Sequence, residues 1–234
     1  MNTNKKCIVS FANNKNNYVK GIARLSDSLR HNFDGDFLAF IGEETVGAPL
    51  HTDNPYAFKI YCIEKAIKAG YDQILWLDSS VFAIAPVQPV FDHILETGFA
   101  IQDSGHWLGQ WANDRSLEYF DITRDQAMEI RMIGNAGFLG LNMLYAGSQK
   151  FFQSWKDAMQ EGIFKGAWDN NDKTESSDDR CRGHRHDMVA SSAIFYKMGV
   201  TPEGNMFGGE EILQYAGLYE KVLNDTIIFK AQGI

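Results

Sequence analysis

The chain has 234 residues, 44% hydrophobic and 22% charged, which is ordinary globular material and enough for one sizeable core. Its formal charge of −8 offers no basic surface to displace counterions from phosphates, which argues against nucleic acid as the main partner. The three cysteines are odd in number and widely spaced, and no run of about 18 apolar residues occurs, so neither a disulfide framework nor a membrane-spanning helix is expected.

Cys7–Phe11 is a short β-branched apolar run that ends in a polar cluster at Asn13–Asn17, which predicts a strand entering a loop. Ile22, Leu25 and Leu29 then recur at helical spacing between Tyr18 and Arg30. A second strand is expected over Phe37–Ile41, closed by Gly42. Asp53-Asn54-Pro55 reads as a helix start, with Ile60, Ile63 and Ile67 buried, Lys59, Glu64, Lys65 and Lys68 outward, and Gly70 as the stop. Ile74–Leu77 is apolar at every position, as in a central strand covered on both faces.

The result is β-α-β-α-β within the first 80 residues, an α/β arrangement with a mostly parallel central sheet flanked by helices. Ligands of such sheets bind beyond the carboxyl ends of the strands, here at Ser10–Asn17 and Asp78-Ser79-Ser80. Further on, a strand at Phe99–Gln102, a helix at Asp125–Arg131, a strand at Gly137–Asn142 and helices at Ser148–Glu161 and Met188–Lys197 are expected. Asp169–Asp187 is almost wholly polar, which predicts a mobile loop. No repeat or linker divides the chain, so residues 1–234 are expected to form one domain.

Asp78 follows a buried strand directly, so its carboxylate should face the crevice, where a hard divalent cation needs oxygen ligands. Capping of the following turn is the other reading of an aspartate in this place. Gly134–Gly140 is spaced G-x-x-G-x-x-G and does not match a dinucleotide fingerprint. His184-Arg185-His186-Asp187 contains a His-x-His that could be a zinc site or a surface charge cluster. Asp103, His106, Trp107 and Trp111 form a polar and aromatic patch suited to sugar contacts or to packing, and Glu210-Glu211 is a fainter candidate.

Four stretches taken in order resemble the GT-A-fold glycosyltransferases, especially the small chlorella-virus type. They are Ser10–Asn13 with Tyr18 and Gly21, Asn54–Lys59, Ile74–Ser80, and His184–Ser192. The resemblance implies a single GT-A domain with a nucleotide-binding half at 1–100 and an acceptor-binding half at 101–234. It implies transfer of a sugar from a UDP-sugar to a hydroxyl of a glycan or glycoconjugate, assisted by Mn2+ or Mg2+. By the same resemblance Ser10, Phe11, Ala12, Asn13, Tyr18, Leu77, Asp78, Ser79 and Ser80 hold the nucleotide, and Lys59 offsets its diphosphate. Asp78 and Ser80 would hold the metal, with His184 or a residue of the polar loop as a further ligand. The family's Asp-X-Asp is matched only in its first carboxylate.

Asn135, Ala136 and His186, with Asp103, His106 and Trp107, would line the sugar pocket. Asp187 would be the base that deprotonates the acceptor, which suits inversion of configuration. The family's membrane-anchored members carry a segment that this sequence lacks, and the expected compartment is the cytoplasm. Two rival readings stay open: a sugar-nucleotidyltransferase, disfavoured because Ser10–Asn17 lacks glycine and arginine, and a non-catalytic binder of nucleotide sugars.

Overall fold

A computed structural model describes residues 5–133, 137–202, 218–223 and 226–232. Asn135, Ala136, Glu210 and Glu211 lie outside the described residues. The first half runs β1 (Lys6–Ala12), α1 (Asn16–Leu29), β2 (Asp36–Ile41), α2 (Phe58–Lys68), β3 (Gln73–Leu77), β4 (Val81–Ala83), α3 (Gln88–Thr97) and β5 (Phe99–Ala100). The rest comprises β6 (Asp103–Trp107), α4 (Leu108–Trp111), α5 (Asp114–Tyr119), α6 (Arg124–Ala127), β7 (Arg131–Ile133), β8 (Phe138–Asn142), α7 (Ala146–Gln160), α8 (His186–Lys197), β9 (Leu218–Leu223) and β10 (Thr226–Gln232).

The central sheet has the order β2-β1-β3-β8-β5. β1 pairs in parallel with β2 and β3, while β8 runs antiparallel to both β3 and β5, so β8 alone opposes the common direction. Smaller sheets form from β4-β10-β9 and β6-β7.

The alternation of strand side chains divides the core in two. Cys7, Val9, Phe11, Ile74, Trp76, Leu139 and Leu141 pack on one face, against α2, α7 and α8. Ile8, Leu75, Leu77 and Phe138 pack on the other, against α1, α3 and the β4-β10 ribbon. Gly140 permits the close approach of α3, because a Cβ there would stand 2.5 Å from Ile94 Cδ1.

α2 starts at Phe58, three residues after the proline expected to open it. Tyr56 has φ 60°, a left-handed conformation no helix can incorporate, and residues 51–57 are a series of turns. Asn54 is no cap; its amide donates to the Met159 carbonyl at 3.2 Å. The expected helix at Asp125–Arg131 shrinks to the four residues of α6, and Arg131 enters β7. α3 gave no sequence signal that was read, although Pro89 stands in its first turn and Gly98 caps it at φ 88°.

The polar segment before α8 is not an open loop. Asn170 is buried, donates to the carbonyls of Ser176 and Cys181, and accepts from the backbone N–H groups of Glu175 and Ser176. Among the described residues, no helix is long and apolar enough to cross a membrane.

Candidate functional site

The cleft lies where the fold predicts it, at the carboxyl ends of β1 and β3. Phe11, Asn13, Tyr18, Asp78, Ser79 and Ser80 line it, together with four residues that sequence reasoning did not assign: Glu43, His51, Tyr56 and Phe58. Glu43 sits just past the end of β2, a strand-end carboxylate like Asp78. His51 and Tyr56 come from the turns that displace the start of α2, and Phe58 is the first residue of that helix.

Asp78 is 38% exposed, and its Oδ1 accepts the indole N–H of Trp76 at 2.9 Å. Trp76 is two residues earlier, on the same face of β3, so the strand's own pleat sets this bond. The Asp78 backbone N–H donates to the carbonyl of Gly137 at 3.0 Å. A Cβ on Gly137 would stand only 3.1 Å from Asp78 Oδ2, so a glycine leaves this carboxylate room. From α1, Arg24 Nη2 donates to the Ser80 carbonyl at 2.7 Å and fixes the turn after the strand. The second carboxylate oxygen has no hydrogen-bond partner among the described residues.

Behind Asp78 lies a buried charge cluster. Lys59 is on the inner face of α2 and not outward as the helical spacing suggested; its Nζ is 2.9 Å from Asp187 Oδ2 and 3.7 Å from Asp78 Oδ1. The rings of Tyr56 and Trp76 lie 5.0 and 5.7 Å from the same ammonium. Asp187, in the first turn of α8, is 2% exposed. Burial pushes its carboxyl above the usual range, while the Lys59 charge pulls the other way. The Asp187 carboxylate is thus enclosed and bonded to Lys59, and it holds that ammonium beside Asp78.

The two histidines before α8 are also internal. The His184 ring lies 2.9 Å from the Ile163 carbonyl through Nε2, and its Nδ1 accepts from the Asn113 N–H at 3.4 Å. Both nitrogens are committed, so neither a zinc site nor a second metal ligand is available at His184. Burial lowers its pKa to about 3. His186 Nδ1 bonds the Phe164 carbonyl at 2.9 Å, and its ring lies tilted against Tyr56 at 5.4 Å between centroids. Both His186 and Tyr56 have left-handed backbones, at φ 47° and 60°, and they meet at the rear of the cleft.

Of the remaining expected residues, Ser10, Ala12 and Leu77 are buried within β1 and β3 and do not line the cleft. Asp103 is paired through both oxygens with Arg131, at 2.8 and 2.9 Å, which ties β6 to β7. The Arg131 guanidinium also lies 4.6 Å from the Trp107 ring. His106 is exposed and meets Trp111 edge to face. Among the described residues, no group of three His, Cys, Asp or Glu is placed to hold a metal ion. Asp78 with its free oxygen and the neighbouring Ser80 fit a cation whose other ligands come from a bound phosphate.

No family model matches the chain, and no curated protein matches it. Solved structures do. The apo form of the bifunctional glycosyltransferase WbbM matches with a TM-score of 0.51, at 13% identity, over 86% of this chain and 39% of its own. GlyE, a glycosyltransferase of Streptococcus pneumoniae TIGR4, matches over 92% of this chain and 47% of its own, at 12% identity and TM-score 0.44. A glycosyltransferase involved in glycosylation of the major capsid of PBCV-1 matches over 68% of each chain, at 13% identity and TM-score 0.42. The chain thus spans less than half the length of WbbM and GlyE. At these identities the likeness is one of fold, the GT-A arrangement of a mostly parallel sheet between helices.

Proposed function

We propose that this chain is a glycosyltransferase that moves a sugar from a nucleotide sugar, a UDP-sugar in the first instance, to a hydroxyl of a glycan or glycoconjugate. The observation that carries this reading is Asp78: a strand-end carboxylate lining a cleft walled by aromatic side chains, with one oxygen fixed by Trp76 and the other without a hydrogen-bond partner among the described residues. Phe11 stacks on Phe58, with centroids 4.2 Å apart, and Tyr18 stands exposed beside them, which suits a flat nucleobase.

Asp78 and Ser80 would hold Mn2+ or Mg2+, and the bound metal supplies neutralisation of the departing diphosphate. Lys59, fixed by Asp187, supports the Asp78 carboxylate from behind. Asp187 is paired with Lys59 and enclosed, and the stereochemical course is a matter for measurement. The single protein carboxylate at the metal position favours one second reading, a binder of nucleotide sugars without transfer.

Calorimetry with UDP in the presence of Mn2+, followed by hydrolysis of a panel of UDP-sugars, separates the two. The transferase reading expects Mn2+-dependent UDP binding and slow donor hydrolysis, with Asp78→Asn reducing hydrolysis at least about 100-fold. UDP binding without any hydrolysis leaves the binder; no UDP binding removes both.

A further inference from the structure

Arg185, the residue before α8, is an unusual arginine in this chain. Its guanidinium carbon lies over two indoles, 4.0 Å from the Trp111 ring centroid and 4.4 Å from that of Trp168. No hydrogen bond or ion pair takes up its side-chain N–H groups among the described residues. Four of the other seven arginines of this acidic chain are paired with carboxylates: Arg30 with Asp27, Arg124 with Asp114, Arg131 with Asp103, and Arg180 with Asp178 and Asp125. The carboxylate next to Arg185 in sequence, Asp187, is taken by Lys59. A guanidinium stacked on aromatic faces keeps its in-plane N–H edge for a fork-shaped bond to an anion.

The surroundings are built and polar. The Arg185 N–H donates to the Trp111 carbonyl at 3.0 Å, and the His184 N–H to the Ala167 carbonyl at 2.7 Å, so both tryptophans are tied by backbone to the segment that carries the arginine. Gly183, at φ 151°, lets the two strands of chain touch, because a Cβ there would stand 2.2 Å from the Trp168 carbonyl oxygen. Trp111 Nε1 and His186 Nε2, on either side, are buried with no hydrogen-bond partner. Arg182, exposed and without a carboxylate among the described residues, adds positive charge nearby. Burial, and then Arg185, Arg182 and Arg131, hold the His106 imidazole below its usual range, which marks the local field as positive. Trp168 is 51% exposed and reaches the cleft through Tyr56, 6.3 Å away between ring centroids.

We infer that Arg185, held between Trp111 and Trp168, forms with the exposed part of Trp168 an acceptor-binding platform for a sugar carrying an anionic group, a carboxylate or a phosphate. The inference rests on the transferase reading for the word acceptor; the anion preference rests on Arg185 alone. Trp168, half exposed beside the guanidinium, offers apolar surface to a sugar ring, and the guanidinium edge offers two donors to paired anionic oxygens. Tyr56 and His186 separate the platform from Asp78, which places it beside the donor cleft and not within it.

The test is a titration of tryptophan fluorescence at constant ionic strength with glucuronate, glucose 6-phosphate, glucose and inorganic phosphate, on wild type and Arg185→Gln. The expected result is about 10- to 100-fold tighter binding of at least one acidic sugar than of glucose, abolished in Arg185→Gln. The two acidic sugars distinguish carboxylate from phosphate. Equal binding of glucuronate, glucose 6-phosphate and glucose overturns the inference, as does discrimination that survives in Arg185→Gln. Inorganic phosphate binding as tightly as the acidic sugars also overturns it, by removing the sugar platform.

Arg182→Gln, an exposed change, guards against misfolding of the first variant and should weaken acidic-sugar binding by a few-fold. Calorimetry with UDP and Mn2+ runs in parallel. A loss of UDP affinity in Arg185→Gln assigns the arginine to the donor and overturns the platform. Normal UDP binding without acidic-sugar preference refutes the platform while leaving the transferase reading intact. Absence of UDP binding in the wild type sinks that reading first, whatever the acidic sugars do.

Discussion

The β1–β3 half and the segment from Asp169 to Asp187 place functional side chains by opposite means. In the first, hydrophobic burial does the work: Trp76 and Leu77 are locked in a doubly covered strand, and Asp78 emerges at its end. In the second there is little apolar surface, and side chains of Asn, Asp and Glu bind backbone groups turn by turn. The first method writes itself into periodicity. The second does not, since a stretch of polar residues has the same composition whether solvated or knitted together.

The two halves meet at the Lys59–Asp187 pair, and the largest effect is expected there. Asp187→Ala leaves a buried ammonium without its partner and should cost roughly 3–5 kcal/mol of stability, read by urea denaturation. The double variant Lys59→Met with Asp187→Leu should recover much of that loss while still impairing turnover. An Asp187→Ala protein as stable as wild type would show that the two halves are not coupled through this pair.

Asn170→Ala sharpens the contrast from the polar side. It removes a buried amide that makes four hydrogen bonds, and should cost about 1–3 kcal/mol. Hydrogen exchange should show the loss confined to the 169–185 segment, with β1–β3 protection unchanged. Gly137→Ala tests the apolar side with a single methyl group. Crowding Asp78 Oδ2 should slow donor hydrolysis by about tenfold, with a melting temperature close to wild type.

A further effect is one of pH. Unfolded, His184 takes up a proton near its ordinary value of 6.5; folded, it resists until about 3. The unfolded state therefore binds more protons between these limits, and stability present above pH 6.5 declines as pH falls, by at most about 1.4 kcal/mol per unit for this group. A melting temperature that drops from pH 7 to 5, with a shallower drop in His184→Asn, is the expected outcome.

These contrasts explain what could be read in advance. The order of the first five elements, the doubly buried β3 and the cleft position of Asp78, Ser79, Ser80, Phe11, Asn13 and Tyr18 follow from apolar runs and strand ends. Lys59 was misread because helical spacing treats any lysine as solvated, and its carboxylate partner lies 128 positions away. His51, Tyr56 and Phe58 escaped because an aspartate, asparagine and proline in sequence suggest an earlier helix start, and a left-handed tyrosine leaves no pattern. Arg185 and Trp168 came together only through tertiary backbone bonds.

Tyr56 and His186 give the site one more property. A side-chain-bearing residue held at positive φ costs of order 1–3 kcal/mol, and the chain tolerates two such positions in contact with each other. Glycine at either place would relax the backbone yet delete a ring that separates the cleft from the tryptophans. Selection for thermostability alone would thus drift toward proteins that melt later and discriminate less, and these two positions are where that trade would first be seen.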